Sequence, residues 1–461
     1  MKMGLVHLGV GAFHRAHQAF YTDAVLREFG GDWGICGVSL RSSRVRDALA
    51  PNDYDYTLAV KDGPDTQQQT ISAIQEILVA PESPAAVIDR LAASCTQVVT
   101  LTITEKGYCL NPASGALDFS APEIVHDLEN ITQPQSAIGF LVAGLQQRRA
   151  HKLKGLTLLS CDNLSGNGSK LQAAVLQFSS RLDEGLAAWI AENCTFPNSM
   201  VDRIAPANND LTTVVTEPFC QWVVEDNFAG PIPAWNKVGA EFVADVKPFE
   251  DMKLRLLNAS HSTMAYLGCL AGYQTIADVV AEPAFAALVT QLMALEMVPT
   301  LQGLGDFDVT AYQAQLLQRF ANRGLEHRTS QIAIDGSQKI PQRLLPGLQW
   351  QLQQAASIDA TMLGLAAWIR YTMGVDEQSV RYPVDDPLAA TFATAADTAA
   401  GDIQQYMQTV LALESVFPPQ LANNETFRAQ LLTQLRALQN DGALATVHRG
   451  WGAANKMEMV N

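Results

Sequence analysis

Val98-Val-Thr-Leu-Thr-Ile-Thr104 is a run in which every residue but Leu101 is β-branched and none is charged. Such a run suits a strand buried on both faces, the pattern of a parallel sheet covered by helices. Gly155-Leu-Thr-Leu-Leu-Ser160 reads the same way. Helical patterns at 85–93 and 136–152 lie between and beside the two runs, so strand and helix alternate as in a doubly wound sheet. The strand tips carry Glu105-Lys106-Gly107-Tyr108 and Cys161-Asp162-Asn163. In open α/β sheets the C-terminal tips border the ligand crevice.

The first strand, beginning at Leu5, ends in Gly9-Val-Gly11-Ala12-Phe13-His14 and runs into a helical pattern at 18–29. A strand, a glycine turn and a helix start bring backbone N–H groups against a pyrophosphate. The third glycine of the usual fingerprint is His14, so the motif alone is weak. His14, Arg15 and His17 suit phosphate or substrate contacts and equally suit capping or surface positions. A second strand runs from Trp33 to Arg41, and at its C-terminal end, where a dinucleotide fold reads the adenosine ribose, this chain has Arg41-Ser42-Ser43-Arg44. An acidic residue there favours NAD; the basic group leaves NADP open, and a solvated turn is the plain alternative. Ser199-Met-Val-Asp202-Arg203 is a further strand tip, and 217–228 reads as a strand leading out of the first domain.

At 461 residues the chain is too long for one ordinary core, and two domains are expected. The boundary falls near Lys237, giving a dinucleotide-binding domain over 1–237 and an α-helical domain over 238–461. Periodic apolar patterns at 283–301, 310–320, 361–371 and 427–439 support the helical half. The stretches 328–343 and 370–377 mix charge with turn formers and read as solvated connections.

The helical half opens on Lys253-Leu-Arg255-Leu-Leu-Asn258-Ala-Ser-His261, within an expected α-helix over 251–270. At about 100° per residue, Asn258 lies roughly 140° and His261 roughly 80° around the axis from Lys253. An amine, a carboxamide and an imidazole on one side of an apolar helix need partners or a cleft. They suit proton exchange with a carbinol oxygen and stabilisation of the developing alkoxide. A partly exposed face with a satisfied core Asn and His is the alternative. An active site between the two domains is expected.

Composition narrows the partners. A net charge of −16 and a pI near 4.9 argue against nucleic acid. Seven scattered cysteines without a CxxC pair argue against a zinc site or a disulfide framework and for a reducing cytoplasm. No run of about 18 uncharged apolar residues is evident, so no membrane span is expected, and neither is a signal peptide.

Taken together, these motifs resemble the polyol-specific long-chain dehydrogenase family. The resemblance covers nearly the whole chain, and Lys-x-Arg-x-x-Asn-x-x-His is its most specific part. It implies a Rossmann-type doubly wound N-terminal domain followed by a mostly α-helical C-terminal domain, with NAD as cofactor and no metal. By that resemblance Gly9, Gly11, Ala12 and Phe13 meet the cofactor; Arg41 is a cofactor candidate by its place at the second strand's tip, and with Arg44 it opposes the NAD preference that the family suggests. Lys253 is the general acid/base, Asn163 and Asn258 surround the reacting oxygen, His261 orients the substrate, and Glu105 gates the proton path. Asp202 and Lys339 fall at substrate hydroxyls or support the site. The family is often monomeric, and a monomer is expected here.

Within the family the resemblance leans toward the branch that reduces D-fructuronate to D-mannonate. Polyol-oxidising members tend to have glycine where Lys106 stands and arginine where Gln331 stands. Lys106, with Arg255, Arg328 or Arg370, is expected to meet the substrate carboxylate. A mannitol or other polyol dehydrogenase is the alternative, and a catalytically silent nucleotide-binding regulator is a remote one.

Overall fold

The computed structural model describes residues 3–111, 114–206 and 209–452. It divides into two compact units, Met1–Lys247 and Pro248–Asn461.

Unit 1 contains β1 (Leu5–Leu8), β2 (Ile35–Ser39), β3 (Tyr56–Asp62), β4 (Asp65–Ile71), β5 (Ile74–Val79), β6 (Val98–Leu101), β7 (Thr157–Ser160), β8 (Ser199–Asp202), β9 (Thr213–Thr216), β10 (Gln221–Glu225) and β11 (Glu241–Val243). The main sheet is parallel, in the order β5-β2-β1-β6-β7. Every residue of β1, β2, β6 and β7 is buried, which is why these strands read as continuous apolar runs. Alternate residues feed opposite cores. Val6, Val99, Leu101 and Leu158 join one cluster with helices Pro84–Ala92 and Ala137–Ala150. Leu5, Ile35, Val98 and Leu159 join a second with helix Gln18–Phe29. Helices therefore cover both faces, and the doubly wound reading stands.

Two smaller sheets complete the unit, β11-β10-β8 and β4-β3-β9. The β3–β4 hairpin had no clear sequence signal. Residues 65–69, which include Gln67, Gln68 and Gln69, are exposed or half-exposed on both faces, so no two-residue alternation marks the strand.

Unit 2 is helical. Helix Ala259–Ala271 is buried along almost its whole length and packs against helices Asp359–Tyr371 and Thr329–Ile332. The apolar pattern at 283–301 is broken in the structure: helix Pro283–Gln291 passes into a π-helical segment Leu292–Met297 and a short 3-10 turn. By length and hydropathy Pro283–Thr300 is the one membrane-span candidate among the described residues, but half of it is buried inside the protein. Glu296 within it is fully buried and accepts the N–H groups of Ala360 and Thr361, capping helix Asp359–Tyr371.

The expectation of a solvated connection over 328–343 is corrected. The segment forms helices Thr329–Ile332 and Gly336–Arg343. Asp386 holds the second by accepting from both the backbone N–H and the hydroxyl of Ser337. At 370–377 the helix Asp359–Tyr371 ends, and the Arg370 guanidinium binds the carbonyl oxygens of Val375 at 2.7 Å and Asp376 at 3.4 Å.

Candidate active site

The straight α-helix expected around Lys253 is interrupted. Lys253 ends helix Lys247–Lys253, residues Leu254–Asn258 form a π turn, and an α-helix resumes at Ala259. The Ala259 N–H bonds to Leu254 O, five residues back. A π turn inserts one residue per turn and is frequent at functional sites. Asn258, five residues after Lys253, therefore comes round about one full turn and shares its face, where a straight helix would hold it roughly 140° away. His261 follows three residues later, on the neighbouring row.

Lys253, Asn258 and His261 are all at least nine-tenths buried. The His261 ring lies 4.8 Å from Phe320 and edge-on to His327 at 5.1 Å. Its Nε2 is buried and has no hydrogen-bond partner. Leaving such an atom unpaired costs about 1–3 kcal/mol, and a group of this kind in a native fold points to a partner supplied from outside. Burial, then coupling to His327 and the positive charges of Arg319, Arg343 and Lys253, hold the imidazole well below its usual range; His327 is itself pushed down to about 4 by burial. His261 is neutral at physiological pH and suits hydrogen bonding to a substrate hydroxyl.

The expected carboxylate partners do not share one environment. Arg255 binds Thr300 O and Oγ1 and faces Asp251 at 3.5 Å. Arg370 holds the turn described above, while Arg328 and Gln331 are exposed. Lys339 is half-buried, with Nζ 3.2 Å from Ile332 O. Arg343, given no role by the sequence, donates Nη1–H to Ser262 Oγ at 3.1 Å, beside His261.

In unit 1 the remaining candidates sit at strand tips. Gly9 has φ +97°, and a Cβ there would lie 2.1 Å from Thr102 O, so only glycine lets the turn pass. A Cβ on exposed Gly11 would meet nothing closer than 3.9 Å. Gly11 thus presents its backbone to open space above β1, between the β2 and β6 sides of the sheet, with half-buried Ala12 and Phe13 following it. That is the switch point where a doubly wound fold accepts a dinucleotide, and the bare turn fits a pyrophosphate. Arg41 is exposed at the tip of β2.

Under the turn, His7 and His14 stack at 3.3 Å, and His7 hydrogen-bonds Thr100 Oγ1 and Thr102 Oγ1. Burial pushes His7 down to about 3 and, helped by His7 itself, holds His14 well below its usual range. Below pH 6.5 the unfolded chain takes up protons that the folded imidazoles refuse. Stability therefore falls as pH drops from 6.5 toward the folded values, by up to about 1.4 kcal/mol per pH unit for each histidine. His14→Phe keeps a flat ring against His7 and should lower the slope of unfolding free energy between pH 6 and 5 by about 1 kcal/mol per unit. Urea titrations at both pH values measure it. An unchanged slope would mean that folded His14 already carries a proton.

Glu105 and Lys106 are exposed on a short turn, Glu105–Tyr108, and Asn163 is exposed at the tip of β7. Between these tips lies buried Asp162, to which the sequence assigned nothing. It accepts the N–H groups of Ile103 at 3.0 Å and Thr104 at 2.9 Å and the Tyr108 hydroxyl at 2.7 Å. Asp202 is buried at the end of β8. Among the described residues no three His, Cys, Asp or Glu side chains gather as metal ligands.

Two family models match the chain: the mannitol dehydrogenase Rossmann domain over residues 3–237 and the mannitol dehydrogenase C-terminal domain over 245–439. The D-mannonate oxidoreductase of Escherichia coli is 45% identical, over 96% of this chain and 94% of the relative. Mannitol dehydrogenase 2 of Saccharomyces cerevisiae is 37% identical, over 97% and 92%. Among solved structures, the Pseudomonas fluorescens mannitol 2-dehydrogenase ternary complex with NAD and D-mannitol superposes with a TM-score of 0.89 at 38% identity, covering 97% of this chain and 94% of that one.

Proposed function

The chain belongs to the mannitol dehydrogenase family, and we propose that this NAD-dependent oxidoreductase reduces D-fructuronate to D-mannonate, reversibly and without a metal. The greater identity to the D-mannonate oxidoreductase, 45% against 37% for the yeast mannitol dehydrogenase, carries the choice of substrate.

Gly9, Gly11, Ala12 and Phe13 hold the cofactor's phosphates, and Arg41 lies toward the ribose end. NADH, when bound, supplies the hydride. Lys253 gives its proton to the substrate's C5 oxygen during reduction and takes it back during oxidation. Asn258 and Asn163 donate amide N–H groups to the same oxygen as its charge develops. Neutral His261 pairs its Nε2 with a neighbouring hydroxyl. Asp202 and Lys339 bind further hydroxyls or hold the site in shape, and exposed Glu105 governs proton exchange with water. Lys106 adds a cation beside it.

A mannitol dehydrogenase is the second reading, favoured by the likeness to the mannitol complex. NADH oxidation with D-fructuronate and with D-fructose separates the two. The uronate reading expects kcat/KM at least a hundredfold higher for fructuronate, about 2.7 kcal/mol of discrimination in the transition state. Comparable values, or a preference for fructose, assign the protein to polyols.

A further inference from the structure

We propose that Arg343 holds the substrate's carboxylate and so sets the preference for a sugar acid over a polyol; this rests on the uronate reading above. Four observations within unit 2 lead to it.

The first is position. Arg343 Nη1 lies 3.1 Å from the hydroxyl of Ser262, the residue directly after His261. The guanidinium is therefore anchored one residue along the helix from His261, whose Nε2 lacks a partner, and close enough for its charge to act on that imidazole. The second is that this position is built. A Cβ on Gly336 would stand 2.3 Å from Trp368 Nε1 and 2.6 Å from the Tyr266 hydroxyl. Only glycine lets helix Gly336–Arg343 dock this closely on the helices carrying those residues, while Asp386 pins its first turn through Ser337. Lys339 and Arg343, four residues apart, fall on one face of this helix.

The third is charge. Lys253, Arg319 and Arg343 all act on His261, giving a positive field that favours an anionic substrate over a neutral hexitol. The fourth is elimination by magnitude. Lys106 is exposed, where an ion pair contributes about 0–1 kcal/mol. Arg343 is half-buried, and a planar guanidinium can bind a carboxylate through two parallel hydrogen bonds.

The test compares wild type, Arg343→Leu and Arg343→Lys, using the ratio of kcat/KM for D-fructuronate to that for D-fructose. A folding defect lowers both activities and leaves the ratio alone. In R343L the ratio should fall about 30-fold, which is about 2 kcal/mol at 1.4 kcal/mol per decade. R343K should recover at least a fivefold part of that loss. Inhibition by D-mannonate should weaken in R343L while inhibition by D-mannitol does not. A fall in the ratio of less than about fivefold overturns the assignment of Arg343. Wild type preferring fructose overturns the substrate reading instead, and is seen before any variant is made.

Discussion

Replacing Lys253 by alanine should lower kcat by about three orders of magnitude and move KM by less than about tenfold. A positioned acid or base contributes about 10²- to 10⁴-fold, and an interaction made chiefly in the transition state shows in kcat rather than in binding. The π turn makes the expectation specific, since it sets Lys253 and Asn258 on one face and lets one oxygen receive the proton and the amide N–H together. Lys253→Arg keeps the charge and the long stem, but a guanidinium does not deprotonate in proteins. It should be nearly as slow as the alanine variant in steady-state NADH assays, and thermal unfolding checks that both variants are folded. An arginine variant within tenfold of wild type would show that Lys253 supplies charge alone and that the proton moves elsewhere.

The parallel sheet was legible because β1, β6 and β7 are buried on both faces, so composition alone marks them. The β3–β4 hairpin was not, because its second strand is wet on both sides. The π turn at Leu254–Asn258 leaves no mark that periodicity can catch; a straight helix explains the same letters, and tertiary contacts choose between the two geometries. The helix Gly336–Arg343 was hidden by Gly336 and Pro341, both ordinarily helix breakers, and is held by Asp386 and by its fit against Trp368. Lys253, Asn258 and His261 stood out as polar residues at helical spacing, and it took a family resemblance to give them roles. Arg343 was readable only as the cation four residues beyond Lys339, because what marks it is its neighbour Ser262 in space.

Asp162→Ala should destabilise the protein by about 2–4 kcal/mol, because it leaves the donors it satisfied unpaired and each buried donor left so costs about 1–3 kcal/mol. Its carboxylate accepts from Ile103 N–H, Thr104 N–H and the Tyr108 hydroxyl. Burial lifts its pKa even though those donors pull it down. What the carboxylate holds is strained: Thr104 sits at φ 63°, ψ 165°, a conformation essentially reserved for glycine. Such a residue costs about 1–3 kcal/mol and persists only where its surroundings over-determine it. Without Asp162 the threonine can relax, and the turn carrying Glu105 relaxes with it. Thr104→Gly removes the strain, so it should stabilise the wild type by about 1–2 kcal/mol but add little to Asp162→Ala, where the threonine has already relaxed; urea unfolding as a double-mutant cycle measures that coupling. The paired activity readout is the pH profile of kcat, which should change in the single Asp162 variant and move back toward wild type in the double. Strictly additive free energies, with no recovery of the profile, would mean that Asp162 acts through some group other than Thr104. Coupling between the two would mean that a strained backbone, clamped from beneath by one carboxylate, holds Glu105 at the strand tip.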